Sequence, residues 1–268
     1  MKLAVAGKGG VGKTFIAGTI SRLLARDDYK VIAVDADPNI NLSYSLGIGA
    51  DAMKGLTPIS ENELLISSRT AIDPSSSAAG LFNIAPNVSD IADRYGVVGP
   101  DGVRLLVMGT VKGGGTGCMC PANALLRALL QHLLIQRQDV IVLDLEAGLE
   151  PFARGTARRM DVLVNVFEPN IKSLDTSRRI VDLARDIEIE KVVAVGNKIA
   201  QDRDRRFIEN GALKLGMELI GCIPLDESIA RADFFGRAAL DFAPDSPALR
   251  AVAKITDELK RRYLTIQP

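Results

Sequence analysis

The chain has 268 residues, of which 47% are hydrophobic and 25% are charged, enough for a large folded core. Its 33 basic residues balance 33 acidic ones, so the net charge favours neither nucleic acid nor an anionic membrane as a partner. No apolar run has the length of a membrane span, and the N-terminus lacks the pattern of a signal peptide. We therefore expect a cytoplasmic protein with one domain over residues 1–268.

Residues 1–14 contain the pattern of a phosphate-binding loop. An apolar run ends at Gly7, a glycine-rich segment follows, and Lys13 and Thr14 begin an amphipathic segment, which gives G-x-x-x-x-G-K-[ST] between a strand and a helix. Such a loop turns backbone N–H groups toward phosphate oxygens at the positive end of the helix. We predict that Lys13 reaches the β- and γ-phosphates and that Thr14 is a magnesium ligand. The predicted nucleotide contacts in this stretch are Gly9, Gly10, Val11, Gly12, Lys13, Thr14 and Phe15.

Lys8 places a second positive charge in the loop, one residue after Gly7. The loop then reads G-K-G-G-V-G-K-T, a deviant form that resembles the dimeric P-loop ATPases. That group includes the nitrogenase iron protein, the septum-positioning and DNA-partition ATPases and several metal-insertion ATPases. The resemblance implies a homodimer that closes over two ATP molecules, with Lys8 reaching the partner's nucleotide. A solvated lysine is the alternative.

Two predicted strands deliver aspartates to one edge of the sheet. Residues 30–34 lead into Asp35 and Asp37, and a strand over residues 139–144 ends at Asp144. The carboxyl ends of parallel strands are where ligands bind in open α/β sheets. We predict that Asp144 holds magnesium through water. The resemblance implies that Asp37 orients or deprotonates the attacking water, while helix or turn capping is the alternative for Asp35 and Asp37.

The rest of the chain alternates strands and helices, which predicts an α/β fold with a doubly wound, mainly parallel sheet flanked by helices, as in P-loop NTPases. Further strands are predicted at 161–167, 191–196 and 217–222, and further helices at 122–136, 172–187, 202–215 and 246–263. Residues 81–85 and 104–108 are predicted to form a hairpin through the turn region 96–102. Residues 47–80 are predicted to be a loop-rich insertion.

Asn197 follows the strand predicted at 191–196, as base-recognition residues do in related nucleotide-binding proteins. A guanine site of the N-K-x-D type needs an acidic residue at position 200, which is Ala200 in this chain. We therefore predict adenine, read by the Asn197 side-chain amide. Capping is the alternative for Asn197. Pro224, after the strand at 217–222, is also predicted to contact the nucleotide.

Cys118 and Cys120 follow a glycine run and precede Pro121, a residue suited to begin a helix. Two thiolates can bind one soft or borderline divalent ion, but a tetrahedral site needs four ligands. In a two-fold dimer the same pair from each subunit would supply four thiolates on the axis. This spacing predicts Ni²⁺ or Zn²⁺ at a dimer interface, and two unrelated loop cysteines are the alternative.

With this cysteine pair the chain resembles the carbon monoxide dehydrogenase maturation ATPases, which insert nickel into the active cluster of that enzyme. The matching segments, in the same order, are the phosphate loop and residues 35–39, 107–121 and 144–150. The resemblance implies an ATPase that dimerises around nucleotide and delivers nickel to a client of this type. It also implies that Ala147 and Gly148 belong to a second switch. Pro151 departs from the family, whose members often carry histidine there, and this leaves the metal and the client open.

Two other functions stay open at this stage. An ATP-driven electron donor of the nitrogenase iron protein type would carry a bridging iron–sulfur cluster, but its two cysteines lie far apart in sequence, unlike Cys118 and Cys120. A positioning or partition ATPase would bind membrane or DNA. No basic patch is evident for that role, and the apolar residues of the last predicted helix are spaced to pack on the sheet.

Overall fold

The structure, a computed structural model, describes residues 1–71, 82–110, 120–146 and 157–264. The strands are β1 (Lys2–Gly7), β2 (Val31–Asp35), β3 (Val97–Val98), β4 (Arg104–Val107), β5 (Val140–Asp144), β6 (Val162–Phe167), β7 (Val192–Ile199) and β8 (Glu218–Pro224). The helices are α1 (Lys13–Arg26), α2 (Leu42–Leu46), α3 (Glu63–Thr70), α4 (Ile91–Tyr95), α5 (Pro121–Ile135), α6 (Ile171–Asp186), α7 (Asp202–Lys214), α8 (Glu227–Phe234), α9 (Ala239–Phe242) and α10 (Pro247–Tyr263).

The strands form one eight-stranded sheet in the order β3-β4-β2-β5-β1-β6-β7-β8. Every described strand pair is parallel except β3 with β4. In this order, β2 and the other early strands lie on one side of β1, whereas β6, β7 and β8 lie on its other side. Ligands bind where strand order reverses in this way, outside the carboxyl ends of the strands. The carboxyl ends of β1, β2 and β5 therefore mark the expected site.

The sheet is buried on both faces because side chains alternate along its central strands. In β1, Leu3 and Val5 pack with α1 and α10, whereas Ala4 and Ala6 pack with α5 and α6. Two helical layers thus cover the sheet, and the doubly wound α/β fold predicted from the sequence is confirmed. Among the described helices, none is both long and apolar enough to cross a membrane.

The covering helices form because their apolar residues recur at helical spacing. In α5, Pro121 occupies the first turn, and the buried residues are Leu125, Leu126, Leu129, Leu130, Leu133 and Leu134. In α10, the Ser246 side chain accepts a hydrogen bond from the Leu249 backbone N–H and caps the helix. Its apolar face, Leu249, Val252, Ile255 and Leu259, is buried, which agrees with the packing on the sheet expected for the last helix.

The hairpin predicted from residues 81–85 and 104–108 is wrong in its first strand. Residues 82–85 form no strand, residue 81 lies outside the described residues, and β4 pairs antiparallel with Val97–Val98 instead. Asn83 explains the difference, because its side chain accepts a hydrogen bond from the Ala85 backbone N–H. This local turn competes with strand pairing.

Residues 47–71 contain more regular structure than their glycine and proline content suggests. Two short 3₁₀ turns, Ala50–Met53 and Ile59–Glu61, precede α3, and the Asn62 side chain caps that helix through the Leu65 N–H. Ile59 and Leu65 are buried in the same cluster as the leucines of α5. Residues 72–81 lie outside the described ranges. A single domain with a loop-rich insertion near 47–80 stays a prediction.

Candidate functional site

The loop between β1 and α1 has the backbone geometry that its glycines permit. A side chain at Gly7 would place Cβ 2.3 Å from the Val166 carbonyl oxygen, so at this end of the β1–β6 pair the observed spacing requires glycine. Gly10 and Gly12 have φ values of 79° and 97°, in the left-handed region. The loop therefore curls over the start of α1, whose exposed N–H groups and helix dipole favour an anion.

A groove of about 1080 Å³ opens beside this loop, a volume suited to a small-molecule ligand. It brings together most of the residues predicted to bind nucleotide, and its lining includes Gly9, Gly10, Gly12, Lys13, Thr14, Phe15, Asp37, Asn197 and Pro224. Val11 is instead buried in the core, and only its backbone is available at the loop. Lys8 does not line the groove. It is half-buried, and its carbonyl oxygen accepts a hydrogen bond from the Val11 N–H at 3.3 Å, but its side chain has no hydrogen bond or ion pair with the described residues.

Asp35 ends β2 in a fully buried position. One carboxylate oxygen accepts a hydrogen bond from the Leu42 N–H at 3.0 Å, and the other accepts from the Asp37 N–H at 3.2 Å. Leu42 is the first residue of α2, so the structure contains the capping contact considered as the alternative for Asp35. Burial raises the pKa of Asp35 to about 6, against the lowering effect of these hydrogen bonds.

Asp144 ends β5 with both carboxylate oxygens buried and without a hydrogen-bond partner in the described residues. Burial raises its pKa to about 7. The Thr14 side chain lies close enough to lower that pKa, but not in the geometry of a hydrogen bond. Native proteins rarely leave a buried carboxylate unsatisfied, so this group points to a missing partner.

The missing partner of Asp144 fits a hard cation, because Mg²⁺ takes oxygen ligands from one or two side chains together with phosphates and waters. Thr14 and Asp144 lie together at the phosphate loop and would hold the ion directly or through water. Mg²⁺ would supply positive charge to neutralise phosphate oxygens. Lys13, which is 5% exposed, brings a fixed positive charge to the same place.

Asp37 lines the groove and is partly exposed. One of its carboxylate oxygens accepts a hydrogen bond from the Asn39 N–H at 2.8 Å. That contact is the turn considered as the alternative for Asp37. The position of Asp37 in the groove also suits contact with a phosphate or a water, so its catalytic role stays a prediction.

The Asn197 amide contacts the phosphate loop. Its Nδ2 donates to the Val11 carbonyl oxygen at 2.7 Å, and its Oδ1 accepts from the Lys198 N–H at 2.8 Å. A side chain at Gly12 would place Cβ 2.4 Å from this Nδ2. Each polar atom of an amide can form one further hydrogen bond. Reading of the base by Asn197 stays a prediction, and the described contacts do not cap a helix.

Sequence reasoning missed Lys198. Its Nζ donates to the Gly10 carbonyl oxygen at 2.7 Å and forms an ion pair with Glu168 at 3.2 Å. The Asn-Lys pair after a strand carries the signal, but the strand-end pattern by itself predicts only the asparagine as a site residue.

The predicted metal site falls partly outside the described residues. Cys120 is half-buried and is the N-cap of α5, but Cys118 belongs to 111–119, which the structure does not describe. The second switch at Ala147 and Gly148, and Pro151, also lie outside the described ranges. Within those ranges no group of three or more His, Cys, Asp or Glu side chains could hold a metal. The interfacial site stays a prediction.

Comparison with known proteins places the chain in a family. Residues 2–240 match the family described as the CobQ/CobB/MinD/ParA nucleotide binding domain. The chain belongs to this family. The matched residues contain the phosphate loop and all of the groove's lining residues except Ala248, so both lie in a nucleotide-binding domain.

One of these relatives is the carbon monoxide dehydrogenase accessory protein CooC of Rhodospirillum rubrum, which is 41% identical over 244 residues, 91% of each chain. An uncharacterized ATP-binding protein of Methanocaldococcus jannaschii is 40% identical over 256 residues, 95% of this chain and 96% of its own. The resemblance to the carbon monoxide dehydrogenase maturation ATPases, inferred from the sequence motifs, is thereby confirmed.

Solved structures of the family share the fold at lower identity. MinD in the MinC:MinD cell division complex of Aquifex aeolicus has a TM-score of 0.67 and 19% identity, with 100% of this chain and 99% of that chain covered. MinD of Pyrococcus furiosus has a TM-score of 0.66 and 22% identity, with 97% and 99% covered. At these identities the comparison shows the fold.

Proposed function

We propose that the protein is an ATPase that binds nickel between the two subunits of a homodimer and inserts it into a client enzyme similar to carbon monoxide dehydrogenase. The observation that carries the proposal is the 41% identity to CooC over 91% of the chain. The proposed site residues are those of the phosphate loop, the aspartates at the sheet edge and the two neighbouring cysteines.

ATP hydrolysis is the proposed reaction. Lys13 is buried at the phosphate end of the groove, where its charge would stabilise the β- and γ-phosphates. Asp37 lines the groove and would orient or deprotonate the attacking water, while Thr14 and Asp144 would hold Mg²⁺. The orphaned carboxylate of Asp144 supports this assignment, because it stands beside Thr14 with no other partner in the described residues.

Adenine is the proposed base. The groove extends from the loop to Asn197 and Pro224 at the ends of β7 and β8. The absence of an acidic side chain at Ala200 argues against guanine. Asn197 would use the amide hydrogen and lone pair that its contacts with Val11 and Lys198 leave free.

The homodimer is proposed from Lys8 and from the cysteines. The Lys8 side chain is half-buried and has no hydrogen bond or ion pair with the described residues, as expected of a lysine that reaches a second subunit. Cys120 is the N-cap residue of α5, directly before Pro121. Cys118 and Cys120 from both subunits would then hold one Ni²⁺ as cargo, with Zn²⁺ as the competing ion. Thiolate cargo sites require a reducing compartment, which supports a cytoplasmic location.

Metal analysis after anaerobic purification tests this function. We expect one nickel per dimer in the wild type and none in the Cys118→Ala/Cys120→Ala variant. Cys222→Ala is the matched control, because Cys222 lies in β8, away from the motif, and this variant should keep its nickel. Unchanged nickel in the double variant would refute the interfacial site. Four irons per dimer would instead identify an electron donor of the iron protein type.

Transfer to the client is tested separately. Nickel-loaded protein is mixed with a nickel-free carbon monoxide dehydrogenase, and enzyme activity is followed with ATP and with a non-hydrolysable analogue. Activation that requires both ATP and the cysteine pair supports the proposal. Activation at the rate of free nickel, with or without the protein, would contradict it.

A further inference from the structure

Asn197 and Lys198 are neighbours in β7, yet both side chains contact the phosphate loop. In a regular strand, successive side chains point to opposite faces. Here the register between β7 and β8 shifts between Gly196 and Ile199, and Lys198 has a φ of 59°. A bulge of this kind redirects side chains, and a left-handed lysine persists only where its surroundings hold it.

The Lys198 ammonium group joins the phosphate loop to β6. It donates to the Gly10 carbonyl oxygen at 2.7 Å and pairs with a Glu168 carboxylate oxygen at 3.2 Å. Glu168 is itself held in place, because its other carboxylate oxygen accepts from Asn170 Nδ2 at 2.9 Å and its N–H donates to Ser173 Oγ. Asn170 also caps α6. The loop is thereby tied to the start of that helix.

These contacts constrain which way two loop peptides face. The carbonyl groups of Gly10 and Val11 both point toward β7, where Lys198 and Asn197 donate to them. In a trans peptide the N–H points opposite to the carbonyl. The N–H groups of Val11 and Gly12 therefore face away from β7, and that of Val11 donates to the Lys8 carbonyl oxygen at 3.3 Å within the loop. The two carbonyl dipoles cannot turn toward an anion. Gly10, with no side chain and open space around it, would not hold this orientation alone.

We propose that Lys198, supported by Glu168, is a positioning residue that fixes the Gly10 peptide for phosphate binding and slows nucleotide release. The proposal rests on the proposed nucleotide-binding function and deepens it. Because the Lys198 side chain is 42% exposed, solvent weakens the ion pair with Glu168, and the hydrogen bond to Gly10 carries most of the effect. The loss of one such hydrogen bond corresponds to about a fivefold change in affinity.

Lys198→Met tests the proposal, because it keeps the apolar stem of the side chain and removes the ammonium group. Lys191→Met is the matched control, since Lys191 is an exposed lysine just before β7, at the opposite end of the strand. The measurements are the dissociation rate and Kd of a fluorescent ADP analogue, together with the melting temperature without nucleotide. We expect Lys198→Met to release the analogue about fivefold faster, with a melting temperature lowered by no more than about 4 °C, and Lys191→Met to match the wild type.

Glu168→Gln adds a second readout, because glutamine keeps an oxygen for Asn170 and loses the negative charge. Its effect on release should be smaller, and the effects of the two substitutions should not add in the double variant. The proposal is overturned if Lys198→Met releases the analogue at the wild-type rate, or if Lys191→Met accelerates release equally. Failure of the wild type to bind the analogue would instead contradict the nucleotide-binding function itself.

Discussion

Asp144 lies opposite Asp35 in the register of two adjacent parallel strands, β5 and β2. Their carboxyl groups end the two strands at the same edge of the sheet, and both are buried. The Asp35 charge adds to the effect of burial on the pKa of Asp144, which reaches about 7. Two buried carboxylates at one edge of the sheet favour a bound cation. When no cation is bound, protons neutralise these carboxylates more readily, as their raised pKa values indicate.

Asp144→Asn should stabilise the protein in the absence of nucleotide and magnesium. Burial raises the Asp144 pKa from 3.8 to about 7, so the folded state binds more protons than the unfolded state between these values. Wild-type stability due to this group therefore falls as pH rises from 3.8 to about 7 and is constant above. The amide never ionises, so we expect its advantage to reach on the order of 4 kcal/mol at pH 8.

Urea unfolding of both proteins at several pH values between 4.5 and 8 measures this difference. Carboxylates with lowered pKa values, such as Asp93 and Glu258, change stability with the opposite sign, but they are common to both proteins and cancel. An advantage of the variant that does not grow across this range would show that the Asp144 carboxyl is not the titrating group.

Lys13→Ala should weaken ATP binding by about 100-fold, because it removes a charge-assisted contact with the phosphates from the buried end of the groove. Isothermal titration with ATP and Mg²⁺ measures the affinity, and circular dichroism checks that the variant is folded. ATP affinity and turnover equal to those of the wild type would remove Lys13 from the phosphate site.

Lys8→Ala should leave the monomer as stable as the wild type, since the Lys8 side chain has no hydrogen bond or ion pair with the described residues and its backbone contact with Val11 is kept. It should instead weaken ATP-dependent dimerisation. Light scattering with and without a non-hydrolysable ATP analogue measures the change, with Lys54→Ala as a control at an exposed lysine that pairs with Asp51. If Lys8→Ala dimerises as readily as the control, the lysine does not cross between subunits.

Gly7→Ala should destabilise the fold by about 3 kcal/mol, because its Cβ would lie 2.3 Å from the Val166 carbonyl oxygen and would force β1 away from β6. Gly9→Ala is the matched control. A Cβ at Gly9 meets nothing within 4 Å, so its effect on stability should stay within about 0.5 kcal/mol. Thermal unfolding of both variants compares them. Equal losses would mean that strand spacing does not explain the requirement for glycine at position 7.

Much of the site could be predicted from the sequence because its determinants are local. The phosphate loop is a run of neighbouring residues, and Asp35 and Asp144 each close an apolar strand. Parallel strands align their carboxyl ends at one edge, so these segments had to converge once the alternation of strands and helices predicted a parallel sheet. The wrong strand at 81–85 had no such support, because the local turn made by the Asn83 side chain competes with strand pairing there.

Only the tertiary structure shows that two neighbouring residues of β7, Asn197 and Lys198, both donate hydrogen bonds to the phosphate loop. A bulge at Lys198 turns two successive side chains to the same place, and no periodic pattern in the sequence reveals a bulge. The raised pKa values of Asp35 and Asp144 likewise arise from burial, and that of Asp144 also from the charge of Asp35 on the neighbouring strand. Motifs thus determined which chemical groups the chain carries, whereas register and burial, set by contacts between distant residues, determined what each group can contact.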